Sequence, residues 1–178
     1  MRKDHGHLIR NIYYMLSYAF QTLEAKAYAE VAAEDFPDMQ NLFAAILAKG
    51  ISWQIKQWLS RSYEEKCEVL AGVRGHIDMP ESMQLLLRKK RRLFCEFDEL
   101  SENYLLNQVI KTTVVLLLRH GSVEPKYRKA LKKLMLFFSQ VDVLCNMSIS
   151  WNTIRYQRNQ QNYRMLLAIC QMIIEGLL

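Results

Sequence analysis

Apolar residues return at three- and four-residue steps over most of this chain, and the rhythm changes only in its middle. Ile9, Ile12, Tyr13, Leu16, Ala19, Phe20 and Leu23 share one side of a helix predicted from about Ile9 to Ala29. Pro37 and its acidic neighbours Glu34, Asp35 and Asp38 punctuate the chain after it. A second helix is predicted from about Met39 to Ser62, carried by Leu42, Phe43, Ile46, Leu47, Ile51, Ile55, Trp58 and Leu59, with Gly50 as a weak point. Cys67 to Met79, with Gly72 and Gly75, then suits a bent strand. Pro80 opens a short helix through Leu87, and Leu93 to Asp98 alternates as a second strand.

Helical spacing returns after Ser101, which with Asp98 is a candidate cap for a helix from about Glu102 to Arg119 that Gly121 stops. A basic helix from about Pro125 to Ser139 follows, then a strand-like Ser148 to Trp151, then a helix from about Gln161 to Leu177. The pattern predicts an α+β fold: a mostly helical core with a small sheet or finger-like strand region, and no nuclease fold. One domain over 1–178 is expected, helical over 9–62, strand-containing over 67–98, helical over 101–139, and strand plus helix over 148–178. Its core should rest on Leu16, Phe20, Leu42, Phe43, Ile46, Leu106, Ile110, Leu117, Leu166 and Ile173.

Charge adds a direction to this outline. Lys and Arg outnumber Asp and Glu by 24 to 18, a net +6 that favours an anionic partner. Much of the surplus is clustered: Arg88, Lys89, Lys90, Arg91 and Arg92 are contiguous, and Lys126, Arg128, Lys129, Lys132 and Lys133 recur within eight residues. Arg155, Arg158 and Arg164, interleaved with Trp151, Tyr156 and Tyr163, form a third surface able to stack on bases or bind phosphate, unless the aromatics serve the core. Cys67, Cys95, Cys145 and Cys170 are too widely spaced for a zinc site and read as reduced thiols of a cytoplasmic protein. No stretch approaches the ~18 apolar residues of a membrane span, and no signal-peptide core follows the polar start.

Catalytic signals are sparse. Pro37-Asp38 with Glu64-Glu65-Lys66 spells the PD…ExK pattern of metal-dependent nucleases, but that chemistry needs carboxylates converging from neighbouring strands, and a predicted helix fills the gap. His5 and His7 lie in a polar tail, while His76 and His120 have no evident carboxylate partner, so no metal site is expected. No phosphate-binding glycine loop and no Ser/His/Asp set appears.

Several motifs together resemble the McrC family, the nuclease subunit of 5-methylcytosine-directed restriction systems that work with a GTP-hydrolysing AAA+ partner, McrB. They are, in order, Ile9 to Phe20 (IRNIYYMLSYAF), Gly72 to Met79 (GVRGHIDM), Phe97 to Thr112 (FDELSENYLLNQVIKT), Tyr156 to Asn159 (YQRN) and Ile169 to Leu178 (ICQMIIEGLL). The resemblance covers nearly the whole chain and implies the family's N-terminal part, which enters the McrB ring and stimulates GTP hydrolysis. It implies no match to the family's C-terminal nuclease, hence no catalytic residue and no cofactor in this chain. GTP and Mg would belong to the partner and to the nuclease part.

Two readings follow. In the first, the chain is a non-catalytic docking part for an McrB-like GTPase, with Arg74, His76 and Asp78, the run Arg88 to Arg92, and Arg155 and Arg158 making the contact. In the second, it is a free-standing DNA-binding module whose cations, Arg88, Lys89, Lys90, Arg91, Arg92, Lys129 and Lys133, sit on phosphates. A separate nuclease chain is a further expected partner of the first reading.

Overall fold

The structure, a computed structural model, describes Leu16, Val31 and residues 36–119, 123–144, 149–156, 158 and 160–175. Its elements are α1 (Met39–Lys56), β1 (Ser62–Leu70), β2 (His76–Ile77), α2 (Met79–Leu87), β3 (Leu93–Ser101), α3 (Leu105–Arg119), α4 (Pro125–Met135) and α5 (Gln161–Ile174). Single 3-10 turns cover Leu136–Phe138 and Trp151–Thr153. Helices together with one small antiparallel sheet make this the expected α+β class. Contacts divide the chain into a helical unit, Met1–Ser60 with Leu105–Leu178, and a sheet unit, Arg61–Tyr104.

In the helical unit α1 packs against α4 and α5, and α3 against α5 and α4. The side chains at the centre, Leu42, Phe43, Ile46, Leu106, Ile110, Leu117 and Leu166, are all essentially inaccessible. Leu16 and Ile173 are also buried; Phe20, like the rest of the opening-helix motif apart from the helical Leu16, lies outside the described residues. Cys170 belongs to this core, and burial pushes its thiol up to about 12, so it behaves as a small neutral side chain.

Buried polar groups pin the elements together. Asp38 caps α1 by accepting the Asn41 N–H at 2.8 Å, and Asn41 Oδ1 in turn accepts the Glu124 N–H at 2.8 Å ahead of α4. The Asp of the PD…ExK text is therefore a helix cap. Lys111 of α3 donates its ammonium to the carbonyls of Phe138 and Val141, closing the turn that follows α4. Among the described residues no helix is long and apolar enough to cross a membrane.

Several boundaries differ from expectation. The single bent strand expected over Cys67 to Met79 is divided: Cys67 to Leu70 end β1, His76 and Ile77 form β2, and α2 already begins at Met79, while α4 ends at Met135 rather than near Ser139. Helix α1 stops at Lys56 rather than near Ser62, because Trp58 turns into the left-handed region with φ 68° and β1 begins at Ser62. Glu64, Glu65 and Lys66 consequently lie on a strand, where β3 supplies the pairing that their own composition does not announce. Helix α3 starts at Leu105, three residues late, since Asp98 belongs to β3 and Ser101 Oγ accepts the Asn103 N–H instead of capping the helix. The strand expected around 148–156 is not formed at Ile149 to Tyr156: Ser150 leads into a 3-10 turn at Trp151, and no described strand offers that segment a ladder.

Candidate functional site

The sheet unit gathers most of the candidate residues. Its order is β1-β3-β2, with β1 and β3 paired from Ser62 opposite Ser101 to Leu70 opposite Leu93. At about 3.3 Å per residue this ladder carries the chain roughly 26 Å from Arg61 and Tyr104, where the unit begins and ends. The segment 71–92 joins the two strands at that remote end, and the basic run lies in it, just before Leu93.

Period-2 alternation places Lys66, Cys95, Phe97 and Glu99 on one face of the sheet. Cys95 and Phe97 are buried there, and the Arg74 guanidinium lies over the Phe97 ring, 3.9 Å from its centroid. Arg74 also reaches Glu99 at 3.3 Å, and Lys66 pairs with the same carboxylate. The hydrogen bond from Lys66, then that from Arg74, holds the Glu99 carboxyl below its ordinary value, and the same Glu99 hydrogen bond raises Lys66. Gly75 makes the close approach possible: its φ is 67°, and a Cβ there would overlap the Glu96 carbonyl and sit 2.7 Å from Phe97 Cβ.

Asp78 caps α2, accepting the Glu81 N–H at 3.0 Å, while its own N–H donates to the Phe94 carbonyl. His76 is exposed on β2 opposite Glu96. Helix α2 rests on the sheet through Ser82, whose Oγ accepts the Phe94 N–H at 2.9 Å. What α2 leaves outward is a stripe the basic run had overshadowed: Met79, Met83, Leu86 and Leu87, at helical spacing, all exposed and Leu87 at 81%. That spacing was visible in the sequence, but only the sheet shows which side of so short a helix is left uncovered.

The basic run itself ends α2. Lys89 has φ 56°, its N–H donates to the Leu86 carbonyl at 2.8 Å, and the Lys90 N–H reaches Leu85 at 3.0 Å, the paired bonds of a Schellman stop. Five exposed cations at a helix C-terminus also complement its dipole. Arg88 to Arg92 thus form a charged turn beside an exposed apolar stripe.

The remaining candidates belong to the helical unit. Lys129, Lys132 and Lys133 are exposed on α4, whereas Lys126 pairs with Glu124 at 3.6 Å and lies over the Tyr127 ring. Arg155 and Arg158 are exposed ahead of α5. His5, His7, His120 and Cys145 lie outside the described residues, and among the described ones no three His, Cys, Asp or Glu side chains group as metal ligands.

Comparison with known proteins bears on this arrangement. The family model described as "McrBC 5-methylcytosine restriction system component" matches residues 2–177. A curated relative from Escherichia coli K12, the type IV methyl-directed restriction enzyme EcoKMcrBC, is 24% identical over 94% of this chain and 48% of its own length. The chain therefore spans about half of that relative. The cryo-EM structure of the Thermococcus gammatolerans McrBC complex contains a chain with the same fold, at TM-score 0.71 and 20% identity over 93% of this chain and 50% of that one. A half-complex of McrB AAA+ hexamers with bound McrC from the same organism matches at TM-score 0.64 and 22% identity, over 77% of this chain and 33% of that one.

Proposed function

Because this chain belongs to the McrBC 5-methylcytosine restriction system component family, we propose that residues 1–178 dock on an McrB-like AAA+ GTPase and couple its cycle to DNA cleavage. The sheet unit is the docking element, and α2 with its basic turn makes the contact. In this reading cleavage itself is performed by a nuclease part outside these residues, and GTP and Mg serve the partner.

The observation that carries the reading is the joining of two surface chemistries at one place. Met79, Met83, Leu86 and Leu87 are apolar and exposed, and Arg88 to Arg92 follow without a break. A DNA backbone would match the cations but offers little to bury methionine and leucine, whereas an acidic protein groove with apolar walls matches both. Each fully buried Met or Leu contributes about 1.5–3 kcal/mol, while the cations mainly set orientation and association rate. Arg74 and Asp78 support this surface from within, one fixing the loop on Phe97 and the other starting α2.

Mixing the purified chain with its cognate GTPase tests the proposal. Co-sedimentation and a rise in GTP turnover are expected; absence of both would sink it. A second reading, a DNA-binding module, draws support from the exposed Lys129, Lys132 and Lys133 on α4. It requires duplex affinity that falls steeply with salt, and a slope that flattens by about the number of phosphates lost when those lysines are neutralised.

A further inference from the structure

Trp58 is placed where neither the backbone nor the core favours a tryptophan. It follows the C-cap Gln57 of α1 with φ 68°, the position at which helices usually carry glycine, and its N–H donates to the Ile55 carbonyl at 3.2 Å. For a bulky side chain this conformation is an outlier. Packing does not compensate, since Trp58 is 76% exposed. Gln54, buried in α1, holds the turn by donating its side-chain N–H to the Trp58 carbonyl at 2.9 Å.

The indole borders a hollow of about 360 Å³ lined also by Trp53, Gln57, Ser60, Gln160 and Tyr163. Its floor is rigid: the Ser60 N–H donates to the Tyr163 hydroxyl, Asn107 donates to the Ser60 carbonyl, and Gln160 donates to Ser60 Oγ at 3.0 Å. Gln160 is shared with a second hollow of about 330 Å³, lined by Tyr156, Arg158, Gln161 and Arg164. Both guanidiniums there are on exposed residues, and the N-terminal end of α5 adds partial positive charge. Desolvation raises the Tyr156 phenol, so it stays neutral beside them.

An aromatic and amide hollow that adjoins a two-arginine hollow has the chemistry of a base joined to a phosphate. We infer that these adjoining hollows bind one unpaired nucleotide, its base against Trp58 and Trp53 and its phosphate at Arg158 and Arg164. Gln57, on the rim, carries the donor and acceptor that suit a base edge. Stacking tolerates any base, so the site would select unpaired over paired nucleic acid more than it selects sequence. A neutral sugar would use the indoles but leave the two arginines without purpose. The site lies entirely within the helical unit and does not depend on docking by α2.

The test is binding of the whole chain, without any partner, to a short labelled single-stranded oligonucleotide by fluorescence anisotropy. Unlabelled single strand and deoxyadenosine monophosphate are added as competitors, with duplex and inorganic phosphate as controls. Single strand should compete at least about tenfold better than duplex, and phosphate alone should not compete. Competition by the mononucleotide would identify free nucleotides as an additional source; competition by strands only would restrict the site to nucleic acid. Trp58→Gly, which suits the left-handed backbone, should lose about tenfold in affinity with Tm unchanged or raised. Arg158→Ala with Arg164→Ala should lower the salt slope by about one phosphate's worth, roughly 0.7. Equal competition by duplex, or full affinity in Trp58→Gly, would overturn the inference.

Discussion

The Tyr163 hydroxyl donates to Asn107 Oδ1 at 2.6 Å, joining the first turn of α5 to the first turn of α3 inside the helical unit. Both side chains are essentially inaccessible, and the same hydroxyl accepts the Ser60 N–H at 2.8 Å. One oxygen therefore satisfies a buried amide and fixes the residue at which the chain leaves the helical unit. Tyr163→Phe keeps the ring but removes both hydrogen bonds, the one from Ser60 N–H and the one to Asn107 Oδ1. The expected cost is about 1–3 kcal/mol, which at this chain length lowers Tm by about 2–4 °C for each kcal/mol in a thermal melt.

Gly75 and Gly72 differ sharply in what they tolerate. A Cβ at Gly72 meets nothing within 4 Å, whereas one at Gly75 meets the Glu96 carbonyl and Phe97 on top of a left-handed φ. Gly75→Ala should destabilise the sheet unit by about 2–5 kcal/mol, the sum of a left-handed alanine and an overpacked contact. Gly72→Ala should be near neutral. Hydrogen exchange of the β3 amides reads the difference, and equal protection in the two variants would contradict this account of the loop.

The motif around these glycines shows what the sequence could and could not disclose. Cys67 to Met79 reads as one bent strand, but it breaks at Gly72, and Asp78 and Pro80 commit the chain to α2, so only Cys67 to Leu70 and then His76 and Ile77 pair. Helices announced themselves because Leu42, Phe43 and Ile46, or Leu106, Ile110 and Leu117, repeat with a period no strand shares. The first half of strand β1 does not, since Glu64, Glu65 and Lys66 gain their conformation from β3, far along the chain, and only its end at Cys67 to Leu70 reads as strand. The basic clusters are plain as charge, yet the sequence pattern makes Trp58 one more helix residue. Its left-handed turn depends on a hydrogen bond from Gln54 that no local pattern encodes.

Glu99 should leave a mark on the acid limb of stability. Its carboxyl is depressed in the fold by Lys66 and then Arg74, so the unfolded chain binds its proton more readily. The stabilisation is present above the ordinary value of 4.5 and is lost as pH falls through the lower folded value. Lys66 acts in the opposite sense: its raised value keeps its contribution intact below 10.5 and loses it only at higher pH. Both contributions are therefore present at neutral pH. Glu99→Gln should flatten the dependence of Tm on pH below the ordinary carboxyl value of 4.5, with a small effect because solvent screens the pair. An unchanged acid limb would show that Glu99 gains nothing from its two partners.

The surface of α2 separates docking from folding most directly. Met83 and Leu87 are half or more exposed, so Met83→Asp and Leu87→Asp remove no core contact, and each should shift Tm by less than about 2 °C. If α2 seats in an apolar groove of the GTPase, a buried carboxylate opposes it and affinity should fall at least about tenfold for each change. Replacing Arg91 and Arg92, which lie beyond the Schellman bonds, with Ser acts differently: association should slow and lose salt sensitivity while dissociation changes little. Surface plasmon resonance against the immobilised GTPase resolves the two rate constants. Loss of affinity through dissociation in the Asp variants and through association in the Ser variant is the signature of one contact built from an apolar stripe and a basic turn. Asp variants that bind as well as the native chain would place the docking contact elsewhere on the protein.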